Sequence, residues 1–274
     1  MAVTMNDITH LRKMSGAGMM DCKHALEEAD NDFEKAMEII RKKGQAVAAK
    51  RSDREASEGC VLAAHKDGFA AIVALKCETD FVAKNSEFIA LTQSILDAAM
   101  AQKPAALQEL QDTPLSDGRS VDNHITDRIG VTGEKMELGF YEFVNGASAM
   151  SYIHPGNKLA TVVAFNGTIE YQPARDVAMQ IAAMNPVAVT PEEVSQKVVD
   201  TEMEIARDKA RQAGKPENLL DRIAEGALQK FYKENTLLQQ DFVKDDKITI
   251  RQYLQQQDKA LTVMAFKRVT LNVE

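Results

Sequence analysis

One apolar pattern occurs twice in this chain. Residues 69–75, FAAIVAL, and residues 159–165, LATVVAF, superimpose without a gap in apolar character. A short apolar run of this kind, bounded by turn residues, reads as a buried strand. In each copy another short apolar stretch and a turn precede it, HKDG in the first and HPGN in the second. A helical pattern rich in alanine and methionine follows each, ILDAAMAQKP from Ile95 and AMQIAAMNP from Ala178. The chain is therefore expected to be α+β, with two related halves, each a small antiparallel sheet covered by helices. Apolar strands resemble one another easily, so a chance match is the alternative.

The remaining segments arrange themselves around this pair. Thr4 with Asp7 makes a capping box, and Ile8, Leu11 and Met14 recur at helical spacing until Gly16-Ala17-Gly18 breaks the run. A second helix carries Cys22, Ala25, Leu26 and Ala29; a third carries Phe33, Ala36, Met37 and Ile40 and is expected to end at Gly44. Together these predict an N-terminal three-helix, UBA-like module with its linker over residues 1–54. The first core subdomain is expected over 55–137, including an irregular or helical connector. The second takes 138–186 and 234–274. Between those two parts lies an insertion, 187–233, that reads as an antiparallel coiled-coil hairpin opened by Pro191 and bent at Gly214-Lys215-Pro216.

Charge and cysteine usage narrow the function. A net charge of −8 works against wrapping a polyanion or lying on an anionic membrane, so direct nucleic-acid binding is not expected. No apolar stretch approaches the length of a bilayer crossing. Cys22, Cys60 and Cys77 are widely spaced and odd in number, which fits buried thiols in a reducing cytoplasm. The five histidines are scattered without a ligand pattern, and Gly16-Ala17-Gly18 lacks the Gly-Lys-Ser/Thr of a phosphate loop. No metal, cofactor or catalytic constellation is expected.

CETDFVAKN, residues 77–85, stands out against this background. From pattern alone it reads as structural: Thr79 or Asp80 caps a turn, and Phe81 and Val82 fill the subdomain core. The repeat argues otherwise. The second copy has NGTIEY after its strand and does without the Asp-Phe pair, so the shared fold does not demand one.

Four blocks then carry a resemblance. LRKMSGAGMMDCKHALEEADNDFEKAMEIIRKKG from Leu11, CETDFVAKNSEF from Cys77, SYIHPGNK from Ser151 and AGKPENLLDRIAEGALQKFYKE from Ala213 occur in order along nearly the whole chain. The sequence resembles bacterial translation elongation factor Ts. Longer members of that family add a helical module after the final strand, which is not expected here. The resemblance implies a guanine nucleotide exchange factor that binds elongation factor Tu, GDP-bound and nucleotide-free, and promotes GDP release. It implies that Thr79, Asp80, Phe81 and Val82 dislocate Mg2+ in that partner, with Phe81 entering a pocket between partner helices. Lys23, His154, Phe242 and Val243 are implied as further partner contacts. Self-association through the coiled-coil arm is a further expectation.

Two rival readings belong to other classes. A non-catalytic adaptor would use the three-helix module and the arm for binding, without nucleotide release. An enzyme using Cys77 and Glu78 would need a base to activate the thiol, and the sequence places none.

Overall fold

A computed structural model describes residues 2–272. In chain order its helices and strands are α1 (Met5–Ser15), α2 (Met19–Glu28), α3 (Phe33–Lys50), β1 (Glu58–Lys66), β2 (Phe69–Cys77), α4 (Asp80–Ala83), α5 (Ser86–Gln102), α6 (Leu107–Asp112), α7 (Val121–Thr132), β3 (Met136–Asn145), β4 (Ser148–Ile153), β5 (Leu159–Phe165), α8 (Tyr171–Met184), α9 (Gln196–Gln212), α10 (Leu220–Asn235), β6 (Asp241–Phe242), β7 (Asp245–Thr249), α11 (Ile250–Gln255) and β8 (Val263–Thr270). The architecture is mixed α+β: N-terminal helices, small antiparallel sheets and a helical pair.

Local chemistry sets the N-terminal helices. Asp7 N–H donates to Thr4 Oγ1 at 3.2 Å, and Thr4 N–H donates back to the Asp7 carboxylate at 2.9 Å, so the capping box opens α1. Gly16 closes it in the left-handed region at φ 70°. Ile8, Leu11, Cys22, Ala25, Leu26 and Ala36 then bury one another. Gly44 does not end the third helix; α3 runs through it to Lys50. The reason is tertiary. Gly44 is buried against α7, where a Cβ on Gly130 would lie only 2.7 Å from Gly44 Cα. Two missing side chains let the helix backbones touch, and that packing outweighs the poor helix propensity of glycine.

Each repeated apolar run is the middle strand of a three-stranded antiparallel sheet. The orders are β1-β2-β3 and β4-β5-β8. A middle strand needs a partner on both edges. In the first sheet β1 joins β2 by a tight turn and β3 arrives after α4–α7; in the second the outer partner, β8, arrives from the tail after α8–α11. The expected boundary at residue 137 is corrected here, because β3 pairs with β2 from Met136↔Cys77 to Asn145↔Phe69 and residues 138–145 therefore belong to the first sheet.

The two sheets face each other. Ala70, Ile72 and Ala74 of β2 meet Ala160, Val162 and Ala164 of β5 in a core of small side chains. The alternate residues Phe69, Ala71, Val73 and Leu75 point outward and are covered by Phe88, Ile95, Leu96 and Ala99 of α5. Val163 and Phe165 are covered in the same way by Val177, Ala178 and Ile181 of α8. Helix, sheet, sheet and helix form four layers, and each central strand is buried on both faces, which is why neither run alternates.

The insertion is a helical pair. Its first arm begins at Ser195, whose Oγ accepts from Val198 N–H, while Pro191 opens a one-turn 3-10 helix before it. Gly214 makes the bend at φ 69°. Ala206, Ala210, Leu220 and Ala224 are buried in the seam. Ion pairs cross it from Arg207 to Asp221 at 2.8 Å and from Arg211 to Glu217 at 3.0 Å.

Candidate functional site

The chain leaves the first sheet at Cys77, whose partner Met136 is the last pair of the β2–β3 ladder. Beyond that pair two carboxylates take over from the backbone. Glu78 accepts Lys135 N–H at 2.7 Å, and Glu134 accepts Thr79 N–H at 3.1 Å and the Thr79 hydroxyl at 2.7 Å. The arrangement is reciprocal. Each strand end is gripped by a side chain of the other, although the residues lie more than fifty positions apart in sequence. Glu78 also receives Arg51, the C-cap residue of α3, through two contacts at 3.1 and 3.2 Å.

Thr79 in turn caps α4, its Oγ1 accepting from Val82 N–H at 3.4 Å. One turn later Asn85 caps α5, accepting from Glu87 N–H at 2.9 Å. Between the two caps Ala83 is buried and Val82 packs on the first core. Asp80 and Phe81 face outward. Phe81 is 85% exposed, against the expectation from pattern that it fills the core. Its ring gains nothing for this fold by standing in water, because the apolar surface it carries would be buried at a profit of about 1.5–3 kcal/mol. The Asp80 carboxylate accepts from Lys84 Nζ at 2.6 Å, and that contact holds it below the usual carboxylate range. The turn thus offers a bare ring beside a charge that stays ionised.

Cys77 lies under this turn. Burial, with the Glu134 charge added, pushes its thiol up to about 12, so it stays protonated at neutral pH. A neutral buried thiol is a packing group.

His154 sits in the turn between β4 and β5 at the same end of the sandwich. That turn reaches the start of β1: Val61 N–H donates to Asn157 O at 2.7 Å, and Lys158 pairs with Glu58 at 2.7 Å. Glu58 in turn faces Cys77 across the β1–β2 ladder. Lys158 also helps to hold Asp80 ionised. The His154 ring shares a hydrogen bond with the Tyr152 hydroxyl at 3.1 Å and borders a cavity of about 360 Å3 with Met179 and Ala182. The structure therefore brings His154 to the end that carries residues 79–82.

The other expected contacts lie elsewhere. Lys23 projects from α2 toward Glu27 at 3.7 Å. Phe242 is corrected: it is 4% exposed and stacks on Tyr253 with ring centroids 4.3 Å apart, which makes it a core anchor with no surface to offer. Its neighbour Val243 is 50% exposed, and Val243 N–H is held by Gln180 Oε1 at 2.9 Å. Sequence reasoning missed Glu134 and Arg51. The only local hint was the helix-ending Gly133 before Glu134, and their partners are distant in sequence.

The fold is that of a mixed α+β protein in which a doubly capped turn presents an aromatic ring to solvent. The elongation factor Ts family profile matches residues 78–272. Over all 274 residues, and the whole of each relative, the chain is 75% identical to elongation factor Ts of Porphyromonas gingivalis strain ATCC 33277. It is 55% identical to elongation factor Ts of Azobacteroides pseudotrichonymphae and 46% identical to that of Bacteroides fragilis strain ATCC 25285, again with both chains fully covered. The chain belongs to the elongation factor Ts family. It is a nucleotide exchange factor for elongation factor Tu in translation elongation, a cytoplasmic process, and is not an enzyme. No helix among the described residues is long and apolar enough to cross a membrane.

Proposed function

We propose that residues 79–82 are the part of this chain that loosens nucleotide from elongation factor Tu. An exchange factor needs only to bind the nucleotide-free partner better than the loaded one; by linkage, nucleotide affinity falls by the same factor. GTPases hold their diphosphate through Mg2+ and a loop of backbone amides, so disturbing either releases it. Phe81 enters a pocket between partner helices and shifts the elements that organise the metal, while Asp80 fixes the entry and Thr79 and Val82 hold the pair. Burying one phenylalanine contributes about 1.5–3 kcal/mol, or one to two powers of ten in affinity. His154, at the same end, and Val243 extend the contact over the second half of the molecule, and Lys23 docks the N-terminal helices.

The same reading assigns the three-helix module, residues 1–54, a UBA-like role in docking, the two sheet-and-helix halves a common origin, and the helical pair a coiled-coil arm capable of self-association. The halves divide as 55–145 and 146–186 with 234–274, and the arm takes 187–233.

The observation that carries this reading is the 85% exposed Phe81 on a turn braced from both sides. The test loads elongation factor Tu with fluorescent GDP, adds this chain in substoichiometric amount with excess GDP, and follows release. Phe81→Ala should lose most of the acceleration with its thermal midpoint unchanged, and excess Mg2+ should slow the parent chain. Undiminished release by Phe81→Ala would remove the wedge from the mechanism.

A further inference from the structure

A wedge transmits force only as far as its base resists. Phe81 rides on α4, which has four residues. One turn of helix fixes several dihedrals for one or two hydrogen bonds and does not sustain itself in water. Pushing the ring into a partner would unwind such a turn unless something outside it holds the first residue.

Glu134 is that hold. Both its oxygens are used on one residue: Oε1 takes the Thr79 hydroxyl at 2.7 Å and Oε2 takes Thr79 N–H at 3.1 Å. Two charge-assisted bonds to one residue fix both its position and its rotation, which a single bond does not. The Thr79 hydroxyl, oriented in this way, leaves a lone pair for Val82 N–H. The brace continues outward. Glu134 follows Gly133, the αL residue that ends α7 at φ 71°. Through Gly130, α7 lies against Gly44 of α3. A second tie, Arg51 to Glu78, joins the end of α3 to the residue just before Thr79.

We propose that Glu134 is a positioning residue for nucleotide exchange, locking Thr79 so that the Asp80–Phe81 turn meets the partner as one body with α7 and the N-terminal helices. This rests on the reading of Phe81 as the wedge. Glu134 acts through Thr79 and touches no nucleotide.

The test measures GDP release from elongation factor Tu across a range of chain concentrations, separating the maximal release rate from the concentration that half-saturates it. Glu134→Gln keeps the shape and removes the charge and one acceptor. Its maximal rate should fall about tenfold, the scale of one lost charge-assisted hydrogen bond, with half-saturation within about twofold of the parent. Thr79→Val keeps the N–H but loses the hydroxyl that Glu134 Oε1 receives, and should resemble Glu134→Gln. If Glu134→Gln fails to fold, Thr79→Val decides alone. In a Phe81→Ala background, Glu134→Gln should cost less than about twofold more, because the ring it positions is gone. The proposal is overturned if Phe81→Ala slows release while Glu134→Gln and Thr79→Val do not. It is also overturned if Glu134→Gln costs the same factor with and without the ring, since that marks a general structural role. If Phe81→Ala itself releases GDP at the parent rate, the wedge reading falls and this inference with it.

Discussion

Gly44 and Gly130 bring two helix backbones into contact: a Cβ on Gly130 would sit 2.7 Å from Gly44 Cα. Neither glycine is there for a turn. Their missing side chains let α3 continue for eighteen residues and dock on α7, carrying Arg51 to Glu78. Through this crossing the N-terminal helices and the Phe81 turn share one support.

Gly130→Ala should therefore be costly. Backbone cannot yield as a side-chain tip does, and overpacking of this kind costs about 1–3 kcal/mol. Gly226→Ala in α10 is the contrast, because nothing beyond its own stretch of helix backbone lies within 4 Å of its added Cβ; it should gain about 0.5–1 kcal/mol from helix propensity. Thermal unfolding of the two variants should move in opposite directions. Equal midpoints would mean that α3 and α7 are not in backbone contact.

The buried thiols give a second outcome. Burial pushes Cys60 up to about 11 and Cys77 up to about 12, so thiolate is scarce at both near pH 8. Iodoacetamide should leave the native chain unlabelled at that pH and react with all three cysteines, Cys22 included, after denaturation. Rapid native labelling of Cys77 would place it in an open site.

Acid should act on the second half through Asp176. Burial opposes its charge, but hydrogen bonds from Lys244, Tyr253 and Gln172 prevail and hold its pKa below the ordinary value. Its stabilisation is then complete above the unfolded value of about 3.9 and is lost as pH falls through the lower native value. Asp176→Asn should flatten the stability profile below about pH 4 and lower stability at pH 7. A profile that keeps its acid slope in the variant would assign that slope to other carboxylates.

Much of this fold was legible because its signals are local. The two apolar runs are the two middle strands, and the Thr4–Asp7 box opens α1 where expected. Gly44 misled because its effect depends on Gly130, eighty-six positions away, which no local pattern names. The boundary at 137 failed because a strand's sheet is chosen by its pairing, and β3 and β4 are both near enough in sequence to serve either half. Phe81 was visible because an Asp-Phe pair follows FAAIVAL and not LATVVAF, whereas its brace at Glu134 arises from tertiary folding alone. Phe242 and Val243 are neighbours with opposite fates, since successive residues of a strand end point opposite ways.

The most direct measurement is calorimetric titration of Phe81→Ala and the parent chain into elongation factor Tu, once nucleotide-free and once GDP-bound. Exchange by a wedge requires differential binding, so the variant should bind the nucleotide-free partner about 10–100-fold more weakly while its affinity for the GDP-bound form changes little. If both affinities fall by the same factor, the ring serves docking alone and the central claim is contradicted.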